Sequence, residues 1–461
     1  MSKAIDRARL RQLLEHEQTA FLRRNPRSAG EYAHADSLFG RVPMTWMNKT
    51  SAHFPLYLDT ARGAHMTDLD GHEYVDFSLG DTGSMAGHSP APVVEAVRHR
   101  VEDLGGLAVM LPTGQAETAG AHLAERFGLP RWSFSLTATD ANRWAIRLAR
   151  AVTGRQKILV NSYCYHGSVD ESLIVTSPDG KGAPRPGNVG APVAVTETSR
   201  VAEFNDLEGL ERELAHGDVA AVLMEPALTN IGIVLPEPGY LDGVRDLATR
   251  YGTLLILDET HTFCAGPGGA TKAWGLSPDV ITIGKAIGGG IPAGAYGLSA
   301  ELADRLLGRE DLDLVDMGGV GGTLAGNALS IAAVCATLGE VLTDKAFEHM
   351  HALAERFEAG VTEVIAAHDL PWSVTRLGAR VEYRFADPAP RTGTEAAAVH
   401  DQELDDYLHT YLANRGILMT PFHNMALMSP ATTEQDVDLH SRVFAAAVAE
   451  LLGEHPVPSA P

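Results

Sequence analysis

The chain is short of cysteine, short of positive charge, and without any long apolar run. Its three cysteines, Cys164, Cys264 and Cys335, are scattered over 461 residues with no paired spacing. That spacing supports neither a disulfide framework nor a zinc site, and a reducing cytoplasm is the simplest compartment. Nineteen histidines are dispersed and form no His-x-x-x-His pair on a helical stretch, so no metal is expected. Lysine and arginine number 37 against 59 acidic residues, a net charge of -22. Like charges repel at long range, which argues against nucleic acid or an anionic membrane as partner. No stretch of about 18 apolar residues occurs, so no transmembrane helix is expected. The first residues, Met1 to Leu10, are charged and lack the apolar centre of a secretory signal. Internal repeats and low-complexity tracts are absent from the sequence as well.

What is present is the content of a large α/β enzyme. A chain of this length can bury a large core and is expected to form two domains. Two short apolar runs each end in one ionisable residue. Leu254-Leu-Ile-Leu closes on Asp258, and Val280-Ile-Thr-Ile runs through Gly284 to Lys285. In α/β sheets, chemistry collects where strands reach their carboxyl ends, so both side chains are expected in one crevice. There a lysine can form a Schiff base with an aldehyde cofactor, and an aspartate can keep a pyridine nitrogen protonated. Taken singly, Lys285 reads as a surface lysine and Asp258 as a helix cap. The run Gly288-Gly289-Gly290 permits sharp turns and close approach of backbone to a planar ligand. A nucleotide-binding P-loop fails on spacing, because Asp279 occupies a required glycine position and Ala286 follows the lysine.

Along the chain, residues 3–24 read as a charged helix and 25–55 as irregular, with Pro26, Pro43 and Pro55. Leu56 to Leu58, Ala64 to Asp68 and Glu73 to Phe77 suggest a small antiparallel sheet turned at Asp70-Gly71. From Pro90 helices alternate with strands, the strands being expected at 132–136, 157–161, 219–224, 254–258 and 280–283. Repeated βα units of this kind build a mostly parallel sheet covered on both faces. Residues 170–192, rich in glycine and proline, are expected to make a surface excursion. Long helices follow over 326–342 and 345–368, and the remainder, with a strand at 380–385 and helices near 397–414 and 434–453, reads as a second α/β unit.

The elements Asp258-Glu259, Pro278-Asp279, Gly284-Lys285 and Gly288-Gly-Gly-Ile-Pro-Ala-Gly-Ala295 stand together at one spacing. They resemble the lysine signature of the class III aminotransferases, which use pyridoxal 5'-phosphate (PLP). Other stretches fit the same family. Thr137, Ala138 and Thr139 open a helix whose free N–H groups suit a phosphate, with an ordinary N-cap as the plain alternative. Tyr165 and His166 stand in a Tyr-His-Gly segment whose aromatic ring, in the family, stacks on the cofactor; without the family Tyr165 reads as a core aromatic. Glu225 and Asn230 match a segment beside the ring. Thr323 matches a Gly-Thr segment that reaches across a dimer interface to the neighbour's cofactor phosphate, or else caps a helix. Thr260 and His261 replace the usual Val and Gln or Met. By that correspondence Thr260 packs under the pyridine ring, and His261 lies near its phenolic oxygen or is a structural histidine.

The resemblance covers about residues 55–450 and is nearest to glutamate-1-semialdehyde aminomutase-like members. It implies a fold-type I PLP-transferase with a mostly parallel central sheet in a large domain and a smaller α/β domain built from both chain ends. The implied division is 1–75, an N-terminal helix and small-domain segment; 76–340, the PLP-binding domain; and 341–461, the C-terminal small domain. It also implies a homodimer, with PLP held on Lys285, Asp258 opposite the pyridine nitrogen, and pyridoxamine 5'-phosphate in the half-reaction. The substrate side departs from the aminomutase: Trp46 falls where a carboxylate-binding arginine is expected, and Asn424 where a glutamate is. Met44, Trp46, Phe422 and His423 then edge an apolar pocket, and Arg380 is the remaining candidate for a substrate carboxylate, against a surface ion pair with Glu382 or Asp387. The reaction expected from the sequence is transamination from an amine or amino acid with an apolar portion to a keto acid or aldehyde. An isomerase, aminomutase or racemase, is the alternative.

Overall fold

The computed structural model describes residues 5–312 and 319–454. The chain divides into two compact units, Met1–Ser89 with Glu348–Ala389 and Val399–Pro461, and Pro90–Phe347 with Pro390–Ala398. Among the described residues no helix is long and apolar enough to cross a membrane.

The first unit begins with α1 (Arg7–Arg24), started by Asp6, whose carboxylate accepts from the Ala8 and Arg9 amides. Leu10, Leu13 and Phe21 are buried along one face of it. The stretch expected to be irregular holds a second helix, α2 (Pro26–His34). Pro26 stands in its first turn, where a missing N–H costs nothing, so the proline that suggested a break instead starts the helix. Strands β1 (Leu58–Arg62), β2 (His65–Asp68) and β3 (Glu73–Asp76) pair antiparallel as the alternation predicted.

The second unit carries α3 (Ala91–His99), α4 (Gln115–Phe127), β4 (Arg131–Ser135), α5 (Ala138–Thr153) and β5 (Lys157–Asn161). The glycine- and proline-rich excursion contains a short hairpin, β6 (Ile174–Thr176) with β7 (Gly182–Pro184). Then follow α6 (Val195–Thr198), β8 (Ser199–Ala202), α7 (Leu207–Leu214), β9 (Val219–Met224), α8 (Tyr240–Arg250) and β10 (Leu254–Asp258). The unit continues through α9 (Gly269–Ala273), β11 (Val280–Ile283), β12 (Gly294–Leu298), α10 (Ala300–Leu307) and α11 (Ala328–Ala336). Its seven-stranded sheet has the order β4-β12-β11-β10-β9-β5-β8. Strands β11, β10, β9, β5 and β8 are parallel, and β12 runs antiparallel to both its neighbours. Every residue of β9, β10 and β11 is buried. This explains their mostly apolar spelling, since helices cover both faces.

Strand β12 went unread because glycine is a poor strand former. The structure shows why glycine stands at its start. A Cβ on Gly294 would lie 2.5 Å from Ser135 Oγ and 2.7 Å from the Thr137 carbonyl oxygen, so only glycine lets β12 pass so close to the end of β4.

The chain ends with α12 (Asp344–Ala367), β13 (Ser373–Leu377), β14 (Arg380–Arg384), α13 (Gly393–Ala398), α14 (Gln402–Ala413), β15 (Ile417–Leu418), β16 (Met425–Leu427) and α15 (Glu434–Leu451). In the first unit β13, β14 and β16 form one antiparallel sheet, while β15 joins β3 in parallel. That parallel pair ties the early and late parts of the chain into one sheet.

Candidate active site

Strands β10 and β11 pair in parallel with Asp258 opposite Thr282, so both run out at the same end of the sheet. Asp258 closes one, and Lys285 follows the other after a single glycine. A Cβ on Gly284 would sit 2.8 Å from the Ala138 amide nitrogen, so glycine is what lets this segment lie against the start of α5. Lys285 itself has φ 49°, in the left-handed region. For a residue with a Cβ this costs about 1–2 kcal/mol, a strain the surrounding packing has to hold. Its Nζ lies 2.8 Å from His261 Nε2.

Asp258 is buried within a set of donors. Its Oδ2 accepts from Asn142 Nδ2 at 2.8 Å and from His166 Nδ1 at 2.9 Å, and its Oδ1 accepts from the Thr260 amide at 3.1 Å. Asn142 is oriented in turn by Thr282, whose hydroxyl donates to Asn142 Oδ1 at 2.6 Å. Burial alone pushes the carboxyl up, but the His166 hydrogen bond and charge, with Thr260 and Asn142, outweigh it and hold Asp258 below the usual carboxylate range. For His166, burial pulls the imidazole down, and Cys164 and Asp258 beside it more than reverse this, raising it well above its ordinary value. The two shifts point the same way, toward a carboxylate on Asp258 and a proton on His166.

Asn142 and Thr282 were not anticipated, and Glu259, part of the signature, had been given no role. The Glu259 carboxylate accepts from Thr262 Oγ1 at 2.5 Å and from the Ala270 and Thr271 amides at 3.1 and 2.5 Å. It pins the backbone that carries Thr260 and His261. One sequence signal bore on Thr282: it stands between Ile281 and Ile283, where a polar side chain needs a partner but nothing local says which.

Glu225 follows β9 directly and is buried, with its Oε2 accepting from the Thr229 hydroxyl. Burial pushes its carboxyl up to about 7, against the opposing effects of His166 and Thr229. The fold thus favours the neutral acid. Its contribution to stability is fully present below the unfolded carboxyl's value of 4.5 and is lost as pH rises to about 7. Glu225→Gln is expected to be more stable than wild type at pH 8 by up to about 3 kcal/mol, with the two coinciding near pH 4. Urea unfolding at the two pH values measures it.

Of the other cofactor candidates, Thr137 and Ala138 stand at this sheet end, and each candidate has a local role of its own. Thr137 is the N-cap of α5, accepting from the Asp140 amide at 3.2 Å, so the plain reading of this hydroxyl is realised. Ala138 and Thr139 begin the helix. Thr139 Oγ1 accepts from the Ser168 amide at 3.3 Å, and a Cβ on Gly167 would lie 1.9 Å from it, which is why the segment after His166 needs glycine. Tyr165 is 39% exposed in the loop after β5 and is not a core aromatic. Asn230 is half-buried beyond Glu225. Thr323 is exposed in a turn before α11, whose N-cap is Asn327, so it does not cap that helix.

Trp46, Arg380 and His423 belong to the other unit. There Trp46, 45% exposed, meets the Phe422 ring edge-to-face at 6.2 Å. Arg380 is 2% exposed and donates to the Thr82 hydroxyl and the Met425 sulfur, which corrects the surface ion pair considered for it. Burial holds the His423 imidazole down at about 3, so it is neutral. Asn424 donates to Asp405 at 2.6 Å and lies 3.0 Å from His409.

A family model described as Aminotransferase class-III matches residues 46–445. The chain belongs to the class III aminotransferase family. A protein of Anaeromyxobacter dehalogenans described as glutamate-1-semialdehyde 2,1-aminomutase is 32% identical over 397 residues, covering 85% of this chain and 90% of its own. A lysine-to-alanine variant of a glutamate-1-semialdehyde-aminomutase from Pseudomonas aeruginosa PAO1, solved in complex with PMP, is 45% identical with a TM-score of 0.94, covering 97% of this chain and 100% of its own. An omega-transaminase from Sphaerobacter thermophilus is 31% identical with a TM-score of 0.84, covering 92% and 98%. The fold is that of the fold-type I PLP enzymes, and the family's cofactor is PLP.

The residues of this chain fit that cofactor. Among the described residues, Thr260 Oγ1, Glu225 Oε1 and His166 Nε2 are buried with no hydrogen-bond partner, in the neighbourhood of Asp258. Gly284 and Gly294 keep side-chain atoms away from the start of α5.

Proposed function

We propose that this enzyme moves an amino group on a small substrate, with Lys285 as the residue that holds the cofactor's aldehyde and then carries the proton. The observation that supports this best is the pairing of two strand ends. Asp258 is kept anionic by His166 and Asn142, and one strand over, Lys285 stands against a second basic nitrogen, His261. PLP supplies an electron sink for the bond broken at the amino-bearing carbon. Asp258 would keep the pyridine nitrogen protonated, the start of α5 with Thr137, Ala138 and Thr139 would receive the phosphate, and Tyr165, Thr260, Glu225 and Asn230 would border the ring. Thr323 would serve the neighbouring site of a homodimer.

Two endings of such a reaction differ in where the nitrogen goes. The relatives favour return of the amino group to the same carbon skeleton, as in a glutamate-1-semialdehyde-type aminomutase. Transfer to a separate keto acid or aldehyde is the second reading. It is favoured by Trp46 in place of the expected arginine, by its ring contact with Phe422, and by Asn424 in place of the glutamate. A half-reaction screen separates them. Glutamate 1-semialdehyde and a panel of apolar amines are added to the PLP-loaded enzyme, and the violet absorbance and product nitrogen are followed with and without a keto acceptor. Turnover of the semialdehyde with no acceptor supports the aminomutase. Turnover of amines that stops without an acceptor supports the transaminase. Unchanged absorbance with every compound sinks both.

A further inference from the structure

We infer that His261 is a catalytic partner of Lys285, taking the proton from its amine when Lys285 reacts and returning it when Lys285 acts as an acid. This rests on the reading of Lys285 as the reactive amine. The observation is a built contact: Lys285 Nζ and His261 Nε2 are 2.8 Å apart. Both backbones are fixed. Lys285 is held at φ 49°, and His261 lies between the buried Thr260 and Thr262 at the head of a short turn over Thr262–Ala265. The Glu259 carboxylate anchors that turn through Thr262 Oγ1 and the Ala270 and Thr271 amides. Neither nitrogen therefore reached the other by a free swing of a surface side chain.

Two basic nitrogens at this distance repel if both are charged, and attract when one carries a proton and the other accepts it. For Lys285 to act as a nucleophile its ammonium must lose that proton. The Nζ–H bond breaks, the Nε2–H bond forms, and the pair keeps the same total charge with no electron transferred. The reverse transfer recharges the amine. A histidine matches this task because its ordinary titration lies near neutrality, whereas a lysine alone is almost wholly protonated there.

The titratable groups on the elements packed around the pair include Cys264 in the turn after His261 and Asp140 in the first turn of α5. Asp258 and Glu259 stand at the end of β10, His166 in the loop after β5, and Glu225 after β9. Asp258 is bonded to His166 and Asn142, and Glu259 is turned onto the α9 backbone. Helix α11, which packs on the turn begun by Lys285, contains no charged residue, and the Glu340 beyond it is exposed.

The test compares wild type with His261→Gln, which keeps a hydrogen-bonding side chain and cannot take the proton. In the full-length PLP-loaded enzyme, the pH midpoint of the visible band is expected to move by about one pH unit or more. In the full-length protein freed of cofactor, acetylation of Lys285 by acetic anhydride is followed by peptide mass spectrometry from pH 5 to 10. Labelling at pH 7 is expected to fall at least about tenfold in the variant, since the base that takes the proton from Lys285 is gone. A merely structural histidine would leave both profiles superimposed on wild type, and that result overturns the inference. His261→Asn, read the same way, replaces the glutamine variant if thermal unfolding shows the latter to be unfolded. Wild type lacking any violet band would count against the PLP role of Lys285, while the acetylation profile still judges the pair.

Discussion

Lys285→Ala is expected to leave a folded protein that has lost turnover on the order of 10^6-fold, the scale on which removing a covalent nucleophile costs an enzyme. Two effects combine. The alanine can neither hold the cofactor's aldehyde nor carry the proton at the substrate carbon, a role worth about 10^2–10^4 by itself. The violet absorbance of the purified protein should vanish with it. Stability should change little, because the backbone strain at φ 49° is common to lysine and alanine. Lys285→Gly supplies the control. It is equally inactive, yet should exceed the alanine variant in stability by about 1 kcal/mol, since glycine alone enters the left-handed region freely. Single-turnover absorbance decay and urea unfolding of the two variants together measure both expectations. Residual activity within tenfold of wild type would remove Lys285 from the chemistry.

Much of this site could be read before any fold was known, for an identifiable reason. Strands β9, β10 and β11 are buried on both faces, so their spelling is mostly apolar, and any ionisable residue at their ends stands out. Glu225, Asp258 and Lys285 are those residues. The supporting residues are a different matter. Asn142 lies inside a helix and Thr282 inside a strand, and each is polar for a partner far away in sequence: Asn142 for Asp258, Thr282 for Asn142. Nothing local announces a contact across 116 or 140 residues. Glycine misled in a similar way. Gly294 and Gly297 argue against a strand by propensity, yet β12 exists because Ser135, Thr137 and the Trp132 ring crowd the places a Cβ would take. Pro26 argued for irregular chain and instead starts α2. In each case a long-range contact, or a position within the element, overrode the local preference of the residue.

His261 shows what correspondence with a family leaves open. Matching positions places it by the cofactor's phenolic oxygen, where the family's Gln or Met would fall. Within this chain its Nε2 lies 2.8 Å from Lys285 Nζ, a contact that place allows. Thr260, with a buried hydroxyl that has no hydrogen-bond partner among the described residues, is the companion change.

Asp258→Asn carries the second largest expected effect and tests the other half of the site. An amide has about the same shape, but it presents N–H where the carboxylate accepts three hydrogen bonds, from Asn142, His166 and Thr260. At least one of these must be lost in a buried place, and His166 loses its counter-charge. Breaking a buried charge pair from one side costs about 3–5 kcal/mol. Turnover should fall by about 10^2–10^3 or more, since a preorganised charge opposite the reacting group is removed. The stability loss has a definite pH signature. Asp258 has a lowered folded pKa, so its contribution is present above the ordinary carboxylate range and is lost as pH falls through the lowered value. His166 has a raised one, so its contribution is complete below the ordinary histidine range and is lost as pH rises through the raised value. The difference in unfolding free energy between wild type and Asp258→Asn should therefore plateau between these limits and shrink on both sides. Urea titrations at about pH 3, 6 and 10 span the plateau and both flanks. A difference independent of pH would mean that Asp258 and His166 are not an ion pair. The loss of turnover would then have to come from the cofactor's side of the aspartate alone.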